Sequence, residues 1–189
     1  MPRVRTFIAI DPGEGVRERL VALQESLRRS VAEVKWVEPD NLHVTLLFLG
    51  EVDQRALMPV CRAVEETAQR HAAFEMSVVG TGCFPNARRP RVVWIGVGQG
   101  GRETCALHDA LEEPLSQLGC YRREERAFAP HITLGRIRGT IAGDRLVEAL
   151  AKKQTYLAGE ATIGEVLIMS SELSSRGPRY TVMSRARLR

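Results

Sequence analysis

The sequence predicts an α+β fold built in two similar halves, and three observations carry that prediction. Apolar strand-like segments interleave with helix-like segments along the whole chain. The pattern H-[V/I]-T-L occurs at His43-Val44-Thr45-Leu46 and again at His131-Ile132-Thr133-Leu134, 88 positions later. The composition, 44% apolar and 26% charged with 16 Gly and 9 Pro in 189 residues, is that of an ordinary globular protein and excludes disordered, collagen-like and mucin-like chains. A chain of this length buries roughly 70% of the surface that its unfolded form exposes, enough for one core or two lobes sharing an interface.

The elements follow in order. Val4 to Ile10, ending in the apolar run Phe7-Ile8-Ala9-Ile10 and bounded by Asp11-Pro12-Gly13, reads as a buried strand followed by a turn. Val16, Leu20, Leu23, Leu27 and Val31 recur at helical spacing and predict the first helix. Lys35 to Glu38 is a short strand, Pro39-Asp40-Asn41 a turn, and His43 to Leu49 a strand closed by Gly50. Leu57, Val60, Cys61, Val64 and Ala68 mark a second helix, which tolerates Pro59 only in its first turn. Phe74 to Cys83 and Arg91 to Val97 read as strands joined by the Arg-rich loop 85–90, and Gly98 to Gly101 ends the pair. A helix carrying Leu107, Leu111, Leu115 and Leu118 follows, then a charged loop from Arg122 to Arg126 and a strand from Phe128 to Ile137. Leu146, Val147 and Leu150 mark a last helix. Val166 to Ser170 and Tyr180 to Leu188 close the chain as strands around the turn 174–178. No low-complexity linker separates the halves, so the reading is a single bilobal domain over residues 1–189.

Several function classes lose support at once. The apolar runs fall far short of the ~18 residues of a membrane helix, and the N-terminus lacks the apolar stretch of a secretory signal. We therefore expect a cytoplasmic protein with no membrane association. Cys61, Cys83, Cys105 and Cys120 form no C-x-x-C pair and read as reduced thiols rather than zinc or redox ligands. A net charge of +4 demands no long phosphate-tracking surface, although nearly every cation is Arg, the side chain suited to bidentate phosphate contacts. Neither H-E-x-x-H, a P-loop nor G-x-S-x-G is present, which removes the usual support for metalloprotease, nucleotide-triphosphate and serine-hydrolase chemistry.

The duplicated tetrapeptide is the informative feature. In a strand alternate side chains share a face, so each His and the Thr two positions on point the same way. Alone, one H-x-T is a strand histidine bonded to a neighbour. Two copies in matching strands place two imidazoles and two hydroxyls at the junction of the halves. His71 and His108 sit at or in helices without matching surroundings and read as structural.

In-line displacement at phosphorus needs its base and its acid on opposite sides of the phosphoryl group. Two imidazoles related by an approximate two-fold axis meet that requirement, and an unperturbed pKa of about 6.5 lets one be neutral while the other is protonated. The Thr hydroxyls can donate to the non-bridging oxygens. Two histidines without a carboxylate at motif spacing are too few for a zinc site. The pattern favours metal-free acid–base chemistry on a reactive phosphodiester.

The duplicated motif resembles the 2H phosphoesterase superfamily, in particular its RNA 2′,3′-cyclic phosphodiesterase (2′-5′ RNA ligase) branch. Arg5-Thr6-Phe7-Ile8-Ala9-Ile10 is similar to the opening strand of that family, and Lys35-Trp36-Val37 with 41–50 to its first active-site block. Gly82-Cys83-Phe84-Pro85 with 91–94 resembles the middle block, residues 128–136 the second active-site block, and Ser171-Glu172-Leu173 with Gly177 and Tyr180 the ending. The resemblance implies antiparallel sheets flanking a central cleft with helices on the outer faces, and hydrolysis of RNA-terminal 2′,3′-cyclic phosphate to a 2′-phosphomonoester without a cofactor. It makes His43 the proton donor to the leaving 3′ oxygen and His131 the base that activates water, with Thr45 and Thr133 on the phosphate oxygens.

Arg136 matches a basic position of the family, yet strict alternation turns it away from His131 unless Gly135 permits a bulge. Phe84 is a candidate for stacking on a nucleobase, with a strand-end core residue as the alternative. Arg88, Arg89 and Arg91 are either phosphate contacts or a solvated loop, and Trp36 and Trp94 read as core. The expected partners are RNA ends or nucleotides carrying a 2′,3′-cyclic phosphate, with no obligate protein partner and a monomeric chain. In vitro 2′-5′ ligation is expected beside hydrolysis. The alternatives are a non-catalytic RNA-end or nucleotide-binding module, and a phosphodiesterase for 2′-5′ oligonucleotides or ADP-ribose cyclic phosphate.

Overall fold

The structure is a computed structural model that describes residues 2–29, 33–123, 126–138, 144–175 and 177–189. Val31 and parts of the loops at 122–126 and 174–178, all named above, lie outside the described residues.

The chain runs β1 (Arg3–Ile10), α1 (Glu14–Arg28), β2 (Val34–Trp36), β3 (Val44–Asp53), α2 (Leu57–Ala68), β4 (Phe74–Phe84) and β5 (Val92–Val97). It continues through α3 (Gly101–Gln117), β6 (His131–Ile137), α4 (Asp144–Ala151), β7 (Leu157–Ile163), β8 (Glu165–Ser174) and β9 (Gly177–Arg187). All registered pairs are antiparallel. One group of strands runs β3-β1-β8-β9 and the other β6-β5-β4-β7, with β2 added to β6. The two groups are mirrored in order and meet at β3 and β6, the strands of the two H-x-T motifs. Their junction is a single registered pair, Val44 with Ile132, so one curled sheet bears two lobes.

The helices cover the outer faces. α1 packs against β7, α4 against β4, α2 against β8 and β9, and α3 against α2 and β3. The periodic apolar positions Val16, Leu20, Leu23 and Leu27 of α1 are the buried ones, as their spacing requires. β1 is buried continuously from Thr6 to Ile10 because it lies inside the sheet.

Several elements differ from the sequence reading, among them β8 and β9, which run Glu165–Ser174 and Gly177–Arg187 and so extend into the expected turn between them. β3 does not stop at Gly50 but continues to Asp53, because Gly50 adopts φ +68° beside a bulge and the ladder with β1 resumes. β6 begins at His131 rather than Phe128. Pro130 has no amide hydrogen for the ladder, and the segment before it turns to bring the Ala129 carbonyl under the His131 ring. β7 was not expected at all. Its Leu-Ala-Gly-Glu-Ala-Thr-Ile sequence has little β-branched or aromatic content and is held as a strand by pairing along β4. Pro39–Asn41 forms a 3₁₀ turn, a tighter version of the expected turn. Trp36 is partly buried: it packs against the core, as expected, and also lines the cleft.

Candidate active site

The single bridge between the lobes sets the site. Val44 and Ile132 point into the core and are completely buried. Continuing that antiparallel register one residue each way sets His43 across from Thr133 and Thr45 across from His131, all on the opposite face. Two basins divide accordingly. One is lined by His43, Thr45, Thr133 and Arg136, together with Phe7, Lys35, Trp36, Phe48 and Tyr180. The other is lined by His131 with Thr45, Phe48, Phe84 and Phe128.

Both imidazoles are oriented by the same device. His43 Nδ1–H donates to the Asn41 carbonyl at 2.7 Å, and His131 Nδ1–H donates to the Ala129 carbonyl at 2.7 Å. Each acceptor lies two residues before its histidine. With Nδ1 carrying the proton, the neutral ring leaves Nε2 as the basic atom. The Thr45 hydroxyl meets His43 Nε2 at 2.8 Å, which fulfils the expectation that His and Thr of the first copy share a face. The loop before His43 is anchored by Arg17, whose guanidinium donates to the Pro39 and Leu42 carbonyls at 3.3 and 3.2 Å and pairs with Asp11 at 2.7 Å.

Burial lowers the pKa of His43, partly opposed by the Asn41 carbonyl and by Asp11, and assisted by Arg17 and His131. Burial also lowers that of His131, opposed by the Ala129 carbonyl and assisted by Arg136. The His131 imidazole makes the smallest of these contributions to the lowering at His43. Aromatic rings hold both. Phe7 lies 5.0 Å and Tyr180 5.4 Å from the His43 ring, while Phe84 meets His131 edge-on at 5.0 Å and Trp94 stands 6.2 Å away.

Arg136 lines the basin of His43, and a bulge is what brings it there. Against β5, Thr133 pairs with Trp94 and Gly135 with Val93, so Leu134 is the extra residue and the alternation resets behind it. β3 repeats this: against β1, Thr45 pairs with Ala9 and Leu47 with Ile8, leaving Leu46 as the extra residue. The fourth residue of each H-x-T-L is therefore bulged. In both copies it turns the residue five after the histidine, Phe48 or Arg136, into the cleft. The buried Gln24 amide fixes the second bulge by donating to the Leu134 carbonyl at 2.9 Å and to that of Val37 at 2.8 Å.

Phe84 lies on the His131 side of the cleft. Arg88 and Arg89 are exposed, their amides capped by the Asn86 side chain. The sequence reading missed Lys35, Phe48 and Tyr180 as cleft residues. Tyr180, whose pKa burial raises against the pull of Arg136 and Arg5, is brought across by β9 and carries no local signal of its place. The four cysteines are unpaired, and burial raises each thiol pKa. No helix among the described residues is long and apolar enough to cross a membrane.

Comparison with known proteins shows the family of the chain. Residues 10–94 match the family model described as LigT like Phosphoesterase. An RNA 2′,3′-cyclic phosphodiesterase of Methanothermobacter thermautotrophicus is 38% identical over 98% of this chain and 100% of its own length. The chain belongs to the LigT-like phosphoesterase family. That relative spans both histidine motifs of this LigT-like phosphoesterase, whereas the family model ends before the second. An RNA 2′,3′-cyclic phosphodiesterase of Aquifex aeolicus is 32% identical over 97% of this chain and 96% of its own. Among solved structures, a Thermus thermophilus protein superimposes with a TM-score of 0.82 at 30% identity, covering 98% of both chains. The E. coli LigT complex with 3′-AMP gives 0.76 at 27% identity, also covering 98% of both.

Proposed function

We propose that this LigT-like phosphoesterase hydrolyses RNA-terminal 2′,3′-cyclic phosphate to a 2′-phosphomonoester by acid–base catalysis with His43 and His131 and without a metal. The observation that carries the reading is the matched pair of imidazoles, each fixed through Nδ1 by a carbonyl two residues earlier and facing one cleft across one sheet bridge. Relatives aligned over almost the whole chain are named RNA 2′,3′-cyclic phosphodiesterase.

In this mechanism the phosphate occupies the cleft at Thr45, where the two basins meet. His131 Nε2 takes a proton from water as its oxygen attacks phosphorus. His43 Nε2–H delivers a proton to O3′ as the P–O3′ bond breaks in line, and O2′ keeps the phosphate. Thr45, Thr133 and Arg136 donate to the non-bridging oxygens, where charge gathers. The terminal nucleoside then lies on the His43 side, beside Tyr180 and Phe48, and Phe84 approaches from the side of the nucleophile. The three-ligand group among the described residues, His108, Asp109 and Glu112, is no rival centre. Glu112 is already engaged by the Tyr121 hydroxyl at 3.0 Å and by Arg123 at 3.2 Å.

The test is incubation with an oligoribonucleotide ending in 2′,3′-cyclic phosphate in excess EDTA, with the product isomer fixed by phosphatase treatment and mass spectrometry. A 2′-phosphate formed at undiminished rate in EDTA is the expected result. A 3′-phosphate, or dependence on added metal, contradicts the reading.

A further inference from the structure

The two histidines are aimed alike but anchored differently. Before His131, the Pro130 carbonyl accepts from the Val97 amide at 3.3 Å, and Phe128 stacks on the His108 ring at 4.1 Å. No arginine, lysine or carboxylate among the described residues bonds to that segment. Before His43, a charged clamp takes the place of these contacts.

Arg17 lies in the first turn of α1, its side chain only 13% exposed, and its guanidinium donates to the carbonyls of Pro39 and Leu42. These two carbonyls flank Asn41, whose own carbonyl accepts from His43 Nδ1–H at 2.7 Å. The Asn41 side-chain amide donates to the Pro178 carbonyl at 2.9 Å, which ties the same turn to β9 and its Tyr180. Asp11 holds the other end of the guanidinium at 2.7 Å and accepts from the Gly13 amide at 2.8 Å at the start of α1. Ile10 pairs with Val44, so continuing that ladder by one residue brings Asp11 alongside His43. Besides burial, the leading cause of the lowered His43 pKa, and the Asn41 carbonyl that opposes it, Asp11 favours the imidazolium while Arg17 and His131 disfavour it. Neither Asp11 nor Arg17 lines either basin of the cleft.

We propose that Arg17 and Asp11 are the positioning residues of the proton donor: Arg17 clamps the turn that aims His43 Nε2 at the leaving oxygen, and Asp11 holds Arg17 to that turn. The proposal rests on the reading above and concerns one of its proton transfers, from His43 Nε2 to O3′ as the P–O3′ bond breaks. The clamp exists on one side of the pseudo-symmetric pair alone, and so distinguishes the donor from the base.

The experiment measures kcat and KM of the wild type, Arg17→Gln and Asp11→Asn on two oligoribonucleotides. One ends in 2′,3′-cyclic phosphate, and the other carries sulfur in place of O3′, whose thiolate leaves without a proton. On the oxygen substrate kcat falls about 10–100-fold in Arg17→Gln, the scale of a displacement approaching ~1 Å, and by less in Asp11→Asn, whose amide oxygen still accepts from Gly13. On the sulfur substrate both variants stay within about twofold of the wild type, and KM changes little on either. The basic limb of the kcat/KM profile on the oxygen substrate moves to lower pH in Asp11→Asn and to higher pH in Arg17→Gln, opposite signs that lost packing does not produce. Should Arg17→Gln not fold, as judged by circular dichroism, Asp11→Asn carries the test through its substrate ratio and its limb. Equal losses on both substrates, or no loss on the oxygen substrate in folded variants, overturns the positioning role. A wild type that turns over neither substrate overturns the underlying reading, and the positioning role with it.

Discussion

Val44 and Ile132 form the one registered pair between β3 and β6, and each directly follows a cleft histidine. The spacing of the two imidazoles is thereby tied to a buried contact at the seam of the lobes, beside the packing of α3 on β3 and of α1 on β7. This makes the sheet junction a determinant of activity as well as of stability.

Ile132→Ala empties part of a fully buried site and should destabilise the protein by about 2–5 kcal/mol. It should also lower kcat at temperatures where the variant remains folded, because the bridge that spaces the histidines loosens. Ile132→Val should cost only about 0.5–1.5 kcal/mol. Urea denaturation with parallel turnover assays checks both, and unchanged turnover in folded Ile132→Ala would argue against the seam as a spacer.

Replacing either histidine by alanine should lower kcat/KM by about 10²–10⁴-fold, the usual scale of a lost acid or base. The partly exposed rings leave the core intact, so circular dichroism and thermal midpoints should change little. Retained turnover in both variants would remove the acid–base pair from the account.

Both imidazoles titrate below 6.5 in the free protein, burial being the leading cause. The bell-shaped kcat/KM profile should therefore peak on the acid side of pH 6.5. A bound phosphodiester anion favours each imidazolium, so the kcat profile should lie at higher pH. The same shifts couple to folding. Below pH 6.5 the unfolded chain takes up protons first, so this contribution to stability is complete above pH 6.5 and is lost as pH falls toward the folded-state values. Rate profiles and urea midpoints at several pH values measure both, and an optimum well above 6.5 for kcat/KM would be inconsistent with the burial.

Arg136 holds the His131 pKa down and lines the phosphate basin. Arg136→Ala should lower kcat/KM by about 10–100-fold, as expected for a lost charged hydrogen bond, and should move the acid limb of the profile upward. Arg136→Lys should restore the limb more fully than the rate, because a point charge replaces a planar fork. Gly135→Ala tests how the bulge aims Arg136. An added Cβ would come within 2.5 Å of Val34 and displace β2, so this variant should resemble Arg136→Ala with added destabilisation.

The helices and most strands were legible in periodicity, and the two histidines in their repetition. Arg136 was not placed by the pattern, because alternation holds only while the ladder is regular and the leucine closing each H-x-T-L is bulged. β7 escaped for a related reason: its pairing with β4, not its composition, makes it a strand. Tyr180 and Phe48 were illegible as cleft residues because β9 pairing and a bulge bring them there, and neither leaves a local mark.

The central claim is that His43 protonates the leaving 3′ oxygen while His131 activates the nucleophile. A 2′,3′-cyclic substrate with sulfur in place of O3′ has a leaving group that needs no proton, and its cleavage by the two alanine variants measures each role directly. The account predicts that this substrate restores turnover to His43→Ala and leaves His131→Ala inactive. Rescue of His131→Ala with none of His43→Ala would reverse the assignment, and rescue of neither would contradict it.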